Sequence, residues 1–154
     1  MGIHLNVFFG IDAPKENWSP DYIGVDSKQV YYGIKEIKND GNFVYAVTKD
    51  NEVIVIKGLN YIENKTLSFM DGNVTTICKG ANINCYQLTI PNTVTRIGYN
   101  AFNGGSVYIP NSVIEFEGLD NYITIYTNYS SFPEKWNHSV ENSTIYYDKN
   151  SFVF

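Results

Sequence analysis

The chain has 154 residues, of which 44% are hydrophobic, 16% are aromatic and 18% are charged, and its formal net charge is −5. This length and apolar content predict one folded domain with a sizeable core and exclude a disordered chain. The acidic balance and the absence of Lys or Arg runs exclude a nucleic-acid-binding surface.

The N-terminal stretch is apolar, but it is typical of a strand rather than of a membrane segment. IHLNVFFGI, which begins at Ile3, is interrupted by His4 and Asn6 and lacks a preceding basic region. It is also far too short to cross a bilayer. We therefore expect neither a signal peptide nor membrane insertion, and a standalone chain of this kind would be cytoplasmic.

Three β-rich runs follow between Val30 and Lys57, separated by two short turn sequences. Residues 39–42 read Asn-Asp-Gly-Asn and residues 49–51 read Lys-Asp-Asn. Such residues tolerate the positive φ of tight hairpin turns, so the region predicts an antiparallel β-meander. No segment of the chain has a sustained helical period.

Beyond Asn60 the sequence repeats itself. LTIPNTVTRI, which begins at Leu88, matches VYIPNSVIEF, which begins at Val107, and weaker copies begin at Leu67 and Ile123. Each copy pairs a short strand, whose inward residues are two apart, with a turn and a second apolar leg. Because one such coil cannot bury its apolar face alone, we predict a mainly β solenoid of stacked coils.

The residues between the two legs also correspond. Ile77 is followed four residues later by Ala81, as Ile97 is followed by Ala101. In this alignment Asn82 takes the corner position that Phe102 holds in the next coil.

The stretch LTIPNTVTRIGYNAF, Leu88 to Phe102, resembles the BspA-type leucine-rich repeat, whose unit runs L-x-x-I-x-I-P-x-S-V-T-x-I-G-x-x-A-F-x-x-C. With the tail Ile123–Asn137, the resemblance covers about half of the chain. It implies a short, right-handed leucine-rich-repeat solenoid. It also implies a cell-surface or secreted protein with an adhesion-type role. We expect residues 1–62 to form an N-terminal β-rich cap, with the β-meander, and residues 63–154 to form the repeats and a C-terminal cap, all in one continuous unit.

Outward residues of the repeat strands are the candidate binding site. Repeat proteins bind partners through such extended surfaces, and tyrosine supplies large contact area at low entropic cost. A solvated sheet face with β-favouring Thr and Tyr is an equal alternative. The predicted partner-face residues are Ser68, Thr89, Tyr108, Thr124 and Tyr126.

No catalytic or metal-binding motif is present. His4 and His138 are the only histidines, and Cys78 and Cys85 lack the partners of a metal site. We predict a non-enzymatic protein, without cofactor or metal, that binds a partner protein through its repeat face. Two alternatives stay open: a structural subunit or capping domain of a larger assembly, and a carbohydrate-binding protein in which Tyr108, Tyr126 and Trp136 stack on sugar rings.

Overall fold

A computed structural model gives the fold of the chain and describes residues 6–13 and 27–152. In these two ranges the chain is almost entirely short strands and turns, with two short 3-10 helices at Ser27–Gln29 and His138–Asn142. The strands are β1 (Val7–Phe8), β2 (Val30–Tyr31), β3 (Ile34–Asn39), β4 (Phe43–Thr48), β5 (Glu52–Gly58), β6 (Ile62–Thr66), β7 (Asn73–Ile77), β8 (Cys85–Thr89), β9 (Arg96–Ile97), β10 (Ser106–Tyr108), β11 (Glu115–Phe116), β12 (Thr124–Tyr126) and β13 (Thr144–Tyr146).

Two large sheets form the body of the molecule. One, here called the mixed sheet, has the strand order β11-β9-β7-β5-β4-β3, and the other, the parallel sheet, has the order β13-β12-β10-β8-β6. The chain alternates between them, so that β7 and β8, β9 and β10, and β11 and β12 each make one coil. Neighbouring coils pair in parallel in both sheets. The result is a β-solenoid of about six stacked turns with almost no helix, as the sequence predicts.

The predicted meander comprises β3, β4 and β5, which pair in antiparallel fashion. The Asp40 carboxylate shapes the first turn, where its Oδ1 accepts hydrogen bonds from the backbone N–H groups of Asn42 (2.9 Å) and Phe43 (2.7 Å). Strand β5 then pairs in parallel with β7, so the mixed sheet passes from the meander into the coils without a break. The division at residue 62 falls on the first residue of β6, and the role of residues 1–62 as a cap stays a prediction.

The core lies between the two sheets and is built from rows of equivalent side chains. Ile97 pairs with Ile77 on one side and with Phe116 on the other, and all three are buried. In the parallel sheet, Val107 pairs with both Leu88 and Ile125. Each such side chain contributes about 1.5–3 kcal/mol when fully buried, so the stacked rows are the main source of stability.

The predicted alignment of the repeats that begin at Leu88 and Val107 is confirmed. The predicted starts of the two weaker repeats, at Leu67 and Ile123, are wrong by two residues. Leu88 pairs with Val107 as expected, whereas its partner in β6 is Lys65 rather than Leu67. Val107 likewise pairs with Ile125 rather than Ile123. Because side chains alternate with a period of two, a shift of two residues keeps the same face inward, and the apolar pattern alone does not fix the register.

The corner of the coil that contains Ile77 also differs from the sequence alignment. Ile83, not Asn82, bridges to Phe102 and fills the corner. Asn82 is an inserted, exposed residue with φ of 51°. Asn tolerates this left-handed conformation better than most residues, so the insertion is absorbed without disturbing the core.

Candidate binding face

The outer face of the parallel sheet carries two rows of side chains. Backbone pairing from β6 to β13 aligns one residue of each strand in each row. Neighbouring strands are about 4.8 Å apart, so the rows are continuous. The tyrosine row is Thr66, Thr89, Tyr108, Tyr126 and Tyr146, and the hydroxyl row is Asn64, Gln87, Ser106, Thr124 and Thr144.

The structure brings three of the five predicted site residues together and separates the other two. Thr89, Tyr108 and Tyr126 are consecutive members of the tyrosine row. Thr124 belongs to the hydroxyl row, because the repeat that contains it is shifted by two residues. Ser68 is exposed and follows the end of β6, outside both rows.

Sequence reasoning missed Tyr146, the last member of the tyrosine row. The signal was available, because Thr144-Ile145-Tyr146 repeats Thr124-Ile125-Tyr126, and the two triplets pair residue for residue. The rings of Tyr126 and Tyr146 stack, with centroids 5.0 Å apart.

Part of the tyrosine row is covered by the chain itself. The Phe152 ring lies edge-on to the rings of Tyr126 (5.2 Å between centroids) and Tyr108 (6.4 Å). The Tyr108 hydroxyl donates a hydrogen bond to the backbone oxygen of Lys149 at 3.1 Å. Tyr108 and Tyr126 are each only 8% exposed, and burial raises the pKa of Tyr108 above its ordinary value.

The hydroxyl row is open and lies in a shallow groove. Tyr86 and Tyr122 stand beside it, and they are 59% and 75% exposed. Gly105 lets the coils approach closely here, because a Cβ at this position would lie 1.9 Å from the Cys85 carbonyl oxygen. The groove has a volume of about 330 Å³ and is lined by Tyr86, Gly105, Ser106, Tyr122, Ile123, Thr124 and Thr144. Every lining side chain is uncharged at neutral pH.

Strands β1 and β2 lie on the outer face of the mixed sheet. Phe8 and Tyr31, whose rings stack at 5.1 Å, pack against a cluster that includes buried Cys78. The Arg96 guanidinium reaches the Tyr31 hydroxyl and also hydrogen-bonds to Glu117 at 3.2 Å. Burial raises the pKa of the Cys78 thiol to about 12, which makes this cysteine a structural group rather than a nucleophile.

His138 and Trp136, which the sequence analysis named, each contact a polar partner within the described ranges. His138 is exposed and contacts Glu141 at 2.8 Å on the same 3-10 helix. Trp136 is 2% exposed, and its indole N–H donates to the Val113 carbonyl oxygen at 3.0 Å. Across residues 6–13 and 27–152, no three His, Cys, Asp or Glu side chains are grouped to hold a metal ion.

Comparison with known proteins adds no relative. No family model matches the chain, and no curated protein or solved structure matches it. In the part of the chain that the structure describes, no helix is long and apolar enough to span a membrane.

Proposed function

We propose that the chain is a non-enzymatic recognition module that binds a partner protein through the outer face of its parallel sheet. The observation that carries this proposal is the pair of exposed rings, Tyr86 and Tyr122, beside an open groove. Exposed tyrosines are enriched where proteins bind each other, because the ring supplies apolar area and the hydroxyl supplies a hydrogen bond.

Two further features support this role. The groove has no charged lining group, so a partner would not leave a charge desolvated and unpaired there. The backbone of the face belongs to a continuous parallel sheet, which holds the contact residues rigidly and lowers the entropic cost of binding.

We also propose that the chain is a short, degenerate member of the BspA-type leucine-rich-repeat family. The repeat from Leu88 to Phe102 supports this, as does the parallel pairing of its coils. Right-handed coils are the expected arrangement, because parallel crossover connections are right-handed in nearly all proteins. The adhesion-type role and surface location of that family favour a protein partner outside the cell.

The proposal is tested by affinity capture with the immobilised full chain. Replacing Tyr86 and Tyr122 with Glu puts two charges on the face. As a control, Ile114→Glu puts a charge on an exposed residue just before β11 of the mixed sheet. We expect one protein to be retained by the parent chain and by Ile114→Glu, and to be lost from the double variant. Equal retention by all three chains would reject the face as the contact surface.

A second candidate function is a structural subunit of a larger assembly. Among the described strands, β6 and β13 each have one neighbour in the parallel sheet, so both of its edges are open to pairing with another chain. Sedimentation of the purified chain at micromolar concentration tests this candidate. A dimer or longer oligomer favours the assembly role, and a monomer counts against it.

The carbohydrate-binding alternative requires exposed rings that sugars can stack on. Tyr108, Tyr126 and Trp136, the three rings that the sequence offers for this role, are 8%, 8% and 2% exposed. A glycan array probed with the full chain tests the alternative, and binding there that is lost in the Tyr86→Glu, Tyr122→Glu variant would redirect the proposal from proteins to glycans.

A further inference from the structure

The C-terminal segment, residues 148–152, crosses the outer face of the parallel sheet. It first continues the pattern of β13, because the backbone N–H of Asp148 donates to Tyr129 and that of Lys149 donates to Thr127, both at 2.9 Å. The chain then turns back over the sheet, and Phe152 reaches across Tyr126 on β12 to Tyr108 on β10. The face therefore already holds a bent segment that carries a phenylalanine.

The contacts of this segment lie outside the main core cluster. Phe152 is half-buried, and Asn150 and Ser151 are exposed. Tyr108 and Tyr126 lie outside the main core cluster, so their rings contact the segment from the far side of the sheet. Edge-to-face ring pairs and a hydrogen bond from a tyrosine hydroxyl to a backbone oxygen are contacts that a peptide with a phenylalanine can also make.

The tyrosine row also extends beyond the part that residues 148–152 cover. Past Tyr108, the tyrosine row continues through Thr89, which is half-buried, to Thr66, which is exposed. A longer segment than residues 148–152 would therefore find further hydrogen-bonding groups in line with the same site.

We propose that the tyrosine row binds a phenylalanine-bearing segment of a partner protein, and that the chain's own residues 148–152 occupy this site until such a segment displaces them. This inference rests on the proposed recognition function and names the kind of partner segment that the tyrosine row accepts. A tethered segment has an effective concentration in the millimolar range, so a weak intrinsic affinity is sufficient to keep the site covered.

The experiment supplies the segment in trans. The probe is a fluorescein-labelled peptide with the sequence of residues 148–154, DKNSFVF, and the proteins are the full parent chain and its Phe152→Ala variant. We expect the peptide to bind the variant about tenfold more tightly than the parent, a difference of about 1.4 kcal/mol, because the competing ring has been removed. In the variant, the peptide should shift the NMR signals of the Tyr108 and Tyr126 rings.

Matched controls separate this site from non-specific binding. A peptide in which Ala replaces the phenylalanine that corresponds to Phe152 should lose the advantage. An Ile114→Ala change added to the Phe152→Ala chain should leave binding unchanged, because Ile114 is exposed and lies just before β11 in the mixed sheet. If Phe152→Ala lowers the melting temperature too far for the assay, Phe152→Leu removes the ring and keeps apolar volume. Equal affinity for parent and variant, no detectable binding, or binding that leaves both tyrosine signals unmoved would overturn the inference.

The outcome of the peptide experiment is independent of the outcome of the capture experiment. A negative result with the peptide rejects the tyrosine row as a segment-binding site, while retention of a partner through Tyr86 and Tyr122 would still stand. If the parent chain retains no partner at all, the recognition function is rejected whatever the peptide does.

Discussion

Two adjacent glycines just before β10 give a controlled test of how closely the coils are stacked. Gly104 and Gly105 have nearly the same φ, 87° and 88°. An alanine at either position is forced to a positive φ, which costs about 1–2 kcal/mol. The surroundings differ, because a Cβ at Gly104 has nothing within 4 Å, whereas a Cβ at Gly105 lies 1.9 Å from the Cys85 carbonyl oxygen of the preceding coil.

The Gly105→Ala change should therefore destabilise the chain more than Gly104→Ala does. The overlap is with backbone, which must shift, and forced overpacking of this kind costs about 1–3 kcal/mol in addition to the strain. For a chain of this size, an extra 2 kcal/mol lowers the melting temperature by roughly 4–8 °C.

Urea unfolding followed by far-ultraviolet circular dichroism measures the free energy of unfolding of both variants. The slope of this free energy against urea concentration should be the same for the two, so that only stability differs. Equal destabilisation by the two changes would show that β10 does not lie against Cys85, and the stacking described here would be wrong.

Three other experiments test the core, the buried Cys78 thiol and the contact between Lys38 and Asp71. Ile97→Ala, in the middle of a buried row, should cost about 2–5 kcal/mol in urea unfolding, whereas Ile114→Ala at the surface should stay within about 0.5 kcal/mol of the parent. The Cys78 thiol, with its pKa raised to about 12 by burial, should resist alkylation in the folded chain at neutral pH and react once the chain is unfolded, as mass spectrometry can follow. The pKa of Asp71 lies below its ordinary value of 3.8, chiefly because Lys38 donates a hydrogen bond to it. The decrease in the free energy of unfolding caused by Asp71→Asn should therefore be full at neutral pH and should disappear as the pH falls through the lowered pKa of Asp71. A decrease that is independent of pH would contradict this assignment.

The sequence predicts the coils well where two copies of the repeat are nearly intact. Leu88 and Val107 begin matching segments, and their strands pair in the predicted register. The equivalence of Ile77 and Ile97 is also confirmed, because both legs keep the same apolar spacing. The register fails at Leu67 and Ile123, because the actual register puts polar side chains where the repeat has apolar ones. Lys65 pairs with Leu88, and the buried residue two positions after Ile125 is Thr127.

The candidate site was harder to predict, because the path of the chain decides which side chains stay exposed. Strand alternation correctly places Tyr108 on the outer face, but nothing local to it indicates that Phe152 returns across the sheet to cover it. Tyr86 was missed for another reason. Cys85 and Leu88 are both buried, although they are three residues apart, so the alternation is irregular just where Tyr86 is exposed.

Photo-crosslinking from the groove tests the central claim, that the outer face of the parallel sheet is the recognition surface, most directly. A benzophenone amino acid is placed at Tyr122 in one chain and at Ile114, just before β11 of the mixed sheet, in another. Each chain is irradiated in the extract that yields the captured partner. The account predicts a covalent adduct with that partner from position 122 and none from position 114. An adduct from position 114 alone, equal yields from both positions, or no adduct from position 122 would contradict it.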